Sequence, residues 1–210
     1  MDSSIGVVVG LAAEARIARR LGWPVAVGGG TSSGAKLAAR RLVNDGARAL
    51  VSFGLAGGLD PALAPGAIIV PSAVIDDDHR YPTDPKLSNL LGGATPHLLL
   101  GANTIVAAVV EKARLYSETG AAATDLESAA VARVAKTNSI PFSVLRAICD
   151  PADRTLPPAA LAALDRHGAI AIGRVLASIA AHPTQIPALL ALASDAMTAR
   201  RALLARVSAA

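Results

Sequence analysis

The chain has 210 residues, 52% of them hydrophobic and only 2% aromatic, with a formal net charge of +4. A single cysteine, Cys149, excludes an internal disulfide and fits a reducing compartment. Spread-out arginines and few aromatics argue against a nucleic-acid surface, which concentrates basic residues and adds stacking rings.

The first apolar run has no basic region before it, and no apolar stretch approaches the roughly 20 residues of a membrane span. The expectation is one soluble, cytoplasmic domain with a sizeable core.

In chain order, Ile5 to Val9 is a β-branched run ending at Gly10, which predicts a buried parallel strand. Leu11 to Leu21 reads as a helix, Pro24 to Val27 as a second strand and Ala35 to Val43 as a helix. Ala49 to Phe53 reads as a third strand leading into a glycine turn, Gly54 to Gly58. Ala67 to Ile75 is a strand interrupted by Pro71, and Asp76 to Thr95 is polar and Pro-rich enough for a loop. Leu98 to Leu100 and Thr104 to Val110 are candidates for strand or helix. Thr124 to Thr137 predicts a helix, Phe142 to Ile148 a strand, Pro151 to Pro158 a loop, and helices thereafter. This alternation predicts an α/β single domain: a central mixed, largely parallel sheet with helices on both faces.

Three carboxylates, Asp125, Glu127 and Asp150, sit among small apolar residues. A buried acid is costly to ionise, so it is either paired or holds a proton for use. Asp150 follows an apolar strand, and ligands gather at the carboxyl ends of parallel strands. The plainer alternative is a helix-capping Asp125, a solvated Glu127 and a turn Asp150.

Gly29 to Lys36 is nearly a P-loop, but the lysine comes one position late and Leu37 stands where magnesium needs a hydroxyl. Nucleoside triphosphate hydrolysis is excluded. The loop keeps backbone N–H groups able to cradle a ribose or an anion. A dinucleotide site lacks its glycine fingerprint. No metal site is expected: His79 after Asp76-Asp77-Asp78 reads as a solvated loop, and His97, His167 and His182 lack ligand spacing. Cys149 reads as a small packing residue.

The chain resembles the purine nucleoside phosphorylase and methylthioadenosine/adenosylhomocysteine nucleosidase superfamily. The resemblance rests on Val8-Val9-Gly10-Leu11-Ala12-Ala13-Glu14, Phe53-Gly54-Leu55-Ala56-Gly57-Gly58-Leu59, Pro65-Gly66-Ala67-Ile68-Ile69-Val70 and the two acidic segments. It is most similar to the hopanoid-associated phosphorylases, through Gly57-Gly58-Leu59-Asp60-Pro61, Glu111-Lys112-Ala113-Arg114, Cys149-Asp150-Pro151 and Gln185-Ile186-Pro187-Ala188-Leu189-Leu190. The resemblance implies a nucleoside phosphorylase-like domain over residues 1–182, with 183–210 as its C-terminal helical extension. It also implies a homo-oligomer and release of adenine from adenosylhopane in hopanoid side-chain biosynthesis.

Asp150 matches the acid that protonates the adenine, and Glu14 the glutamate that activates water. Glu127, with Leu126, matches the ribose-binding segment. Asp125, Gly10, Gly54, Ala56, Gly57, Thr104, Ile105 and Cys149 are expected to line the site. No cofactor is expected. Phosphate as co-substrate and water as acceptor are both left open, because Ser52 and Leu55 replace the arginine and hydroxyl that hold phosphate in phosphorylases. Arg16, Arg80 and Arg146 are the substitutes available for that anion site. Thr104 replaces the base-stacking aromatic.

Two alternatives stand beside this reading: a soluble methylthioadenosine or adenosylhomocysteine nucleosidase, and an inactive nucleoside-binding module. In the C-terminal helix, Ile186, Leu189, Leu190, Ala193, Met197 and Leu204 form an apolar stripe, with Arg200, Arg201 and Arg206 towards the other side. The stripe predicts either packing on the core or a partner, or peripheral contact with the inner face of the membrane.

Overall fold

In the computed structural model, which describes residues 4–162, 178 and 181–209, nine strands form one mixed sheet. Strand β1 (Ile5–Val9) lies between β2 (Val25–Val27) and β3 (Ala49–Gly58), parallel to both. Strand β3 also runs parallel to β9 (Phe142–Asp150), which carries the short antiparallel β4 (Ile68–Ile69) on its other side. At its carboxyl end β3 meets β8 (Ala123–Asp125) antiparallel. Beyond it come β7 (Leu98–Gly101), β5 (Ala73–Asp76) and the antiparallel edge strand β6 (His79–Pro82).

The period-2 alternation of strand side chains sorts the core into two layers. Val8, Leu50, Val144 and Ile148 point to one face, where alanine-rich α2 (Ser32–Asn44) and α5 (Ser128–Thr137) pack. Val7, Val9, Val51, Phe53 and Leu145 point to the other. There they meet α1 (Ala12–Ala18), α3 (Pro85–Leu90) and the last helix, α7 (Ile186–Ser208). Two further helices, α4 (Val109–Thr119) and α6 (Pro158–Ala162), lie beyond the strand ends in sequence. Small alanines on α2 and α5 let these helices approach closely while still removing apolar surface from water, at roughly 25 cal/mol per Å².

Several expectations are corrected. Gly54 to Gly58 is the second half of β3, paired with β9 and β8 and therefore not a turn. The Ala67–Ile75 strand is two strands flanking Pro71, which lacks the N–H a continuous ladder needs. The polar segment after Asp76 contains β6 and α3. Asp84 caps that helix, its Oδ1 accepting the Leu87 N–H at 2.8 Å, and Pro85 opens it. Thr104 to Ala108 is irregular, and α4 begins only at Val109. The helix expected from Thr124 begins at Ser128, because Ala123 to Asp125 is drawn into β8. The Gly-rich segment after β2 leads into α2, where Thr31 Oγ1 accepts the Gly34 N–H at 3.1 Å. His167 lies outside the described residues.

The stripe on α7 is also resolved. Its buried face is Ala199, Leu203 and Val207, whereas Ile186, Leu190 and Met197 stay exposed. Among the described residues no helix is long and apolar enough to cross a membrane.

Candidate active site

The register of β3 brings the three acids together. Gly57 pairs with Asp150 on β9 and, through its other edge, with Thr124 on β8, next to Asp125. Asp125 ends β8 and caps α5: its carboxylate accepts the Ser128 N–H at 3.2 and 3.3 Å and the Ser128 hydroxyl at 2.5 Å. The plainer reading of Asp125 as a capping acid therefore holds alongside its place in the site. Glu127 and Asp150, by contrast, are both buried.

Arg146, two strand pairs before Asp150 on β9, is the buried cation at the centre of this cluster. Its Nη2 donates to Ser52 Oγ at 2.7 Å and to Glu127 Oε2 and Ser128 Oγ, each at 3.2 Å. It also forms an ion pair with Asp125, and Nη1 donates to the Leu55 carbonyl at 3.1 Å. Burial alone would lower the arginine's pKa, but Asp125, Glu127 and Glu14 more than offset it, so the net shift is upward. Glu14 sits alongside, each oxygen fixed by a backbone donor: Leu11 N–H to Oε2 at 2.8 Å and Leu55 N–H to Oε1 at 3.0 Å.

Two glycines make room for this packing. A Cβ on Gly54 would stand 2.7 Å from both Arg146 Nη1 and Glu14 Oε1. One on Gly10 would stand 2.7 Å from Glu127 Oε1 and 3.3 Å from Glu14 Oε2. The carboxylates of Glu14 and Glu127 thus converge over the same bare backbone.

Burial, reinforced by Asp125 and Glu14 and only partly opposed by Arg146, pushes Glu127 up to about 7. Burial also raises Asp150 above the usual carboxylate range, although Lys112 pulls it back. Lys112 Nζ donates to Asp150 Oδ2 at 2.6 Å, while Asp150 Oδ1 is buried with no partner. The Cys149 thiol is pushed up to about 12, chiefly by burial. It is therefore not a nucleophile at neutral pH, in keeping with a packing role.

A cavity of about 220 Å³ opens onto this cluster. Asp125, Glu127 and Asp150 supply its charge, and Ala56, Gly57, Thr104, Ile105, Leu126 and Cys149 also line it. Leu55, Val106, Leu156 and Leu192 extend an apolar wall, the last from α7. Glu14, Gly10 and Gly54, expected in the site, do not line the cavity.

Ser128 and Lys112 had no role from the sequence, and Arg146, considered for an anion site, is instead bound to Asp125, Glu127 and Ser52. Arg146 occupies the space beside Gly54 from a strand remote in sequence. Arg16 and Arg80, the other arginines considered for an anion site, are exposed and do not line the cavity. Asp76, considered beside His79, pairs with Arg133. Among the described residues, no group of three or more His, Cys, Asp or Glu side chains is placed to hold a metal ion.

Residues 22–98 and 97–181 match the family model of the phosphorylase superfamily. The chain belongs to the phosphorylase superfamily. It is accordingly an enzyme of that superfamily. No curated protein sequence matches it.

Among solved structures it is similar to the native futalosine hydrolase of Helicobacter pylori, with 19% identity and a TM-score of 0.68 over 99% of this chain and 98% of the other. The 5′-methylthioadenosine/S-adenosylhomocysteine nucleosidase of the same organism gives 18% identity and a TM-score of 0.66, covering 99% of each chain. The S-adenosylhomocysteine nucleosidase of Streptococcus pyogenes, complexed with 5-methylthiotubericidin, gives 19% and 0.65 over 72% of this chain and 86% of that one. These likenesses establish a shared fold, which agrees with the α/β architecture expected from the sequence.

Proposed function

We propose that this superfamily member hydrolyses the N-glycosidic bond of a 5′-substituted adenosine and releases adenine, with adenosylhopane as its substrate. The observation that carries the hydrolytic reading is electrostatic. Three carboxylates and no lysine or arginine line the cavity among the described residues. The nearby cations Arg146 and Lys112 are already bound to Asp125, Glu127 and Asp150. A phosphate dianion would find no free cation to pair with, whereas water needs none.

In this scheme Asp150 holds a proton for the departing base, and its unpartnered Oδ1 is the oxygen that delivers it. Glu127 grips the ribose hydroxyls and, held by Arg146, supports the positive charge that develops on the sugar. Glu14, which does not itself line the cavity, is assigned the attacking water on the strength of its convergence with Glu127 over Gly10. An acid and a water-activating base on opposite sides of the scissile bond correspond to an inverting hydrolase.

The apolar wall of Val106, Leu156 and Leu192 supports a hydrocarbon 5′ substituent. The exposed Ile186, Leu190 and Met197 on the same α7 support peripheral contact with the membrane holding such a lipid. The rival substrates are water-soluble thioether nucleosides, for which an exposed apolar stripe has no use.

The test follows free adenine and the ribosyl product chromatographically, using detergent-dispersed adenosylhopane, methylthioadenosine and adenosylhomocysteine, each with and without phosphate. Adenine from the lipid nucleoside without phosphate is the expected result. Strict phosphate dependence would make the protein a phosphorylase. Turnover of the thioethers alone would reassign its substrate, and adenine binding with no turnover would make it a binding module.

A further inference from the structure

Lys112 is fully buried, and the scheme above gives it no task. It projects from α4 and uses all three of its protons: on Asp150 Oδ2 at 2.6 Å, the Pro151 carbonyl at 2.8 Å and the Arg154 carbonyl at 2.8 Å. An ammonium held by three acceptors cannot swing, and a buried lysine retains its charge only with such partners. One end of the Asp150 carboxylate is thereby fixed to α4, while Oδ1 has no partner and belongs to a residue that lines the cavity.

The same lysine anchors the segment after β9. Two further links run in parallel with it: Leu156 N–H to the Ala107 carbonyl at 3.0 Å and Val109 N–H to Thr155 Oγ1 at 3.5 Å. Arg154 then pairs with Asp195 on α7. Lys112 therefore sits where α4, the 151–156 segment and the acid meet, and Val106 and Leu156, joined through the Ala107 carbonyl, line the cavity beside it.

We infer that Lys112 is the positioning residue of the Asp150 acid, locking Oδ2 and the 151–154 segment to α4 so that Oδ1 alone is presented to the leaving base. This role rests on the proposed glycosidic cleavage. The charged and titratable groups facing Asp150 are Lys112 from α4, Arg154 from the segment after β9, Asp195 from α7 and the adjacent Cys149. Lys112 is the only one of them bonded to the Asp150 carboxylate among the described residues. Its charge holds the acid's pKa down against burial.

The test measures kcat and KM against pH for wild type, Lys112→Met and Lys112→Arg, with a thermal midpoint for each. Asp150 acts protonated, so activity falls on the alkaline side as it ionises. Loss of Lys112 moves that limb to higher pH. Lys112→Met is expected to lose kcat by at least about tenfold with KM changed less than about threefold. Lys112→Arg keeps the limb in place and recovers part of kcat. A folded Lys112→Met with wild-type kcat and an unmoved limb overturns the role, whatever its thermal midpoint. If Lys112→Met does not fold, Lys112→Arg decides. A guanidinium cannot fill a site built for three diverging N–H donors, so kcat should drop several-fold at an unchanged limb. Wild-type kcat in that variant overturns the role. Wild type inactive on every adenosine tested overturns the glycosidic reading itself, and the role of Lys112 falls with it.

Discussion

The two ends of the cavity use the same ingredients, buried carboxylates and a buried cation, in opposite proportions. At the Arg146 end, Glu14, Asp125 and Glu127 outnumber one guanidinium, and burial, with Asp125 and Glu14 adding to it, raises Glu127 to about 7. At the Lys112 end one ammonium serves one acid, and what remains unsatisfied is a single oxygen, Asp150 Oδ1. The first arrangement stores protonation in a crowded cluster that touches several strands. The second leaves one unpaired oxygen. A crowded cluster suits gripping a sugar of several hydroxyls, and a single free oxygen suits delivery of one proton.

Substitutions can break this contrast, and the largest effect is expected from Arg146→Met. Removing the cation leaves its carboxylates buried and unpaired, at a cost of roughly 3–5 kcal/mol in urea unfolding. Neutralising Asp150 should do the reverse, leaving stability nearly intact while removing chemistry. Asp150→Asn is expected to lower kcat by about 10²–10⁴-fold, and near-wild-type turnover would refute its role as acid.

Glu127 offers a pH signature. Its ordinary value is 4.5 and its folded value about 7, so the folded state binds the extra proton. The resulting stabilisation is present below about pH 4.5 and is lost as pH rises through 7, by roughly 3 kcal/mol. Glu127→Gln should flatten that slope in denaturation curves recorded from pH 4.5 to 7.5, and an unchanged slope would assign the linkage elsewhere. The smallest effect is kinetic: Cys149, with its thiol near 12, should react with iodoacetamide at pH 7.5 far more slowly than free cysteine.

Much of the sheet was legible because its central strands are short apolar runs with abrupt ends. Ile5–Val9 is strand β1 as expected, and Phe142–Ile148 is β9 apart from two added residues. Helix α4 was not legible. Lys112 occupies a buried position in a helix whose charged partners, Glu111, Arg114 and Glu118, pair among themselves on the solvent side. A lysine at an inward position masks the helical period, and only the distant Asp150 explains it. Strand β8 was lost for a related reason, since Ala123–Asp125 is short and stabilised by neighbours far away in sequence, β7 and β3.

At the site, the acids could be singled out because carboxylates among alanines and valines are anomalous within a local window. Arg146 could not be given its place. What identifies it is its convergence with Asp125, Glu127 and the glycine-bared backbone at Gly54, which depends on the order of strands and on no local pattern.

The double pairing of Gly57 has a consequence for how the site tolerates change. Because β8 and β9 are both aligned on that one residue, Gly57 acts as a common origin from which the Asp125 and Asp150 halves of the site are measured. Side chains on either half can vary without altering the distance between the halves, whereas a one-residue slip of β3 would shift both together. The span between Asp150 and the Asp125 cluster is thus a backbone dimension, and the pocket's walls can be recut while the distance between its acids stays in calibration.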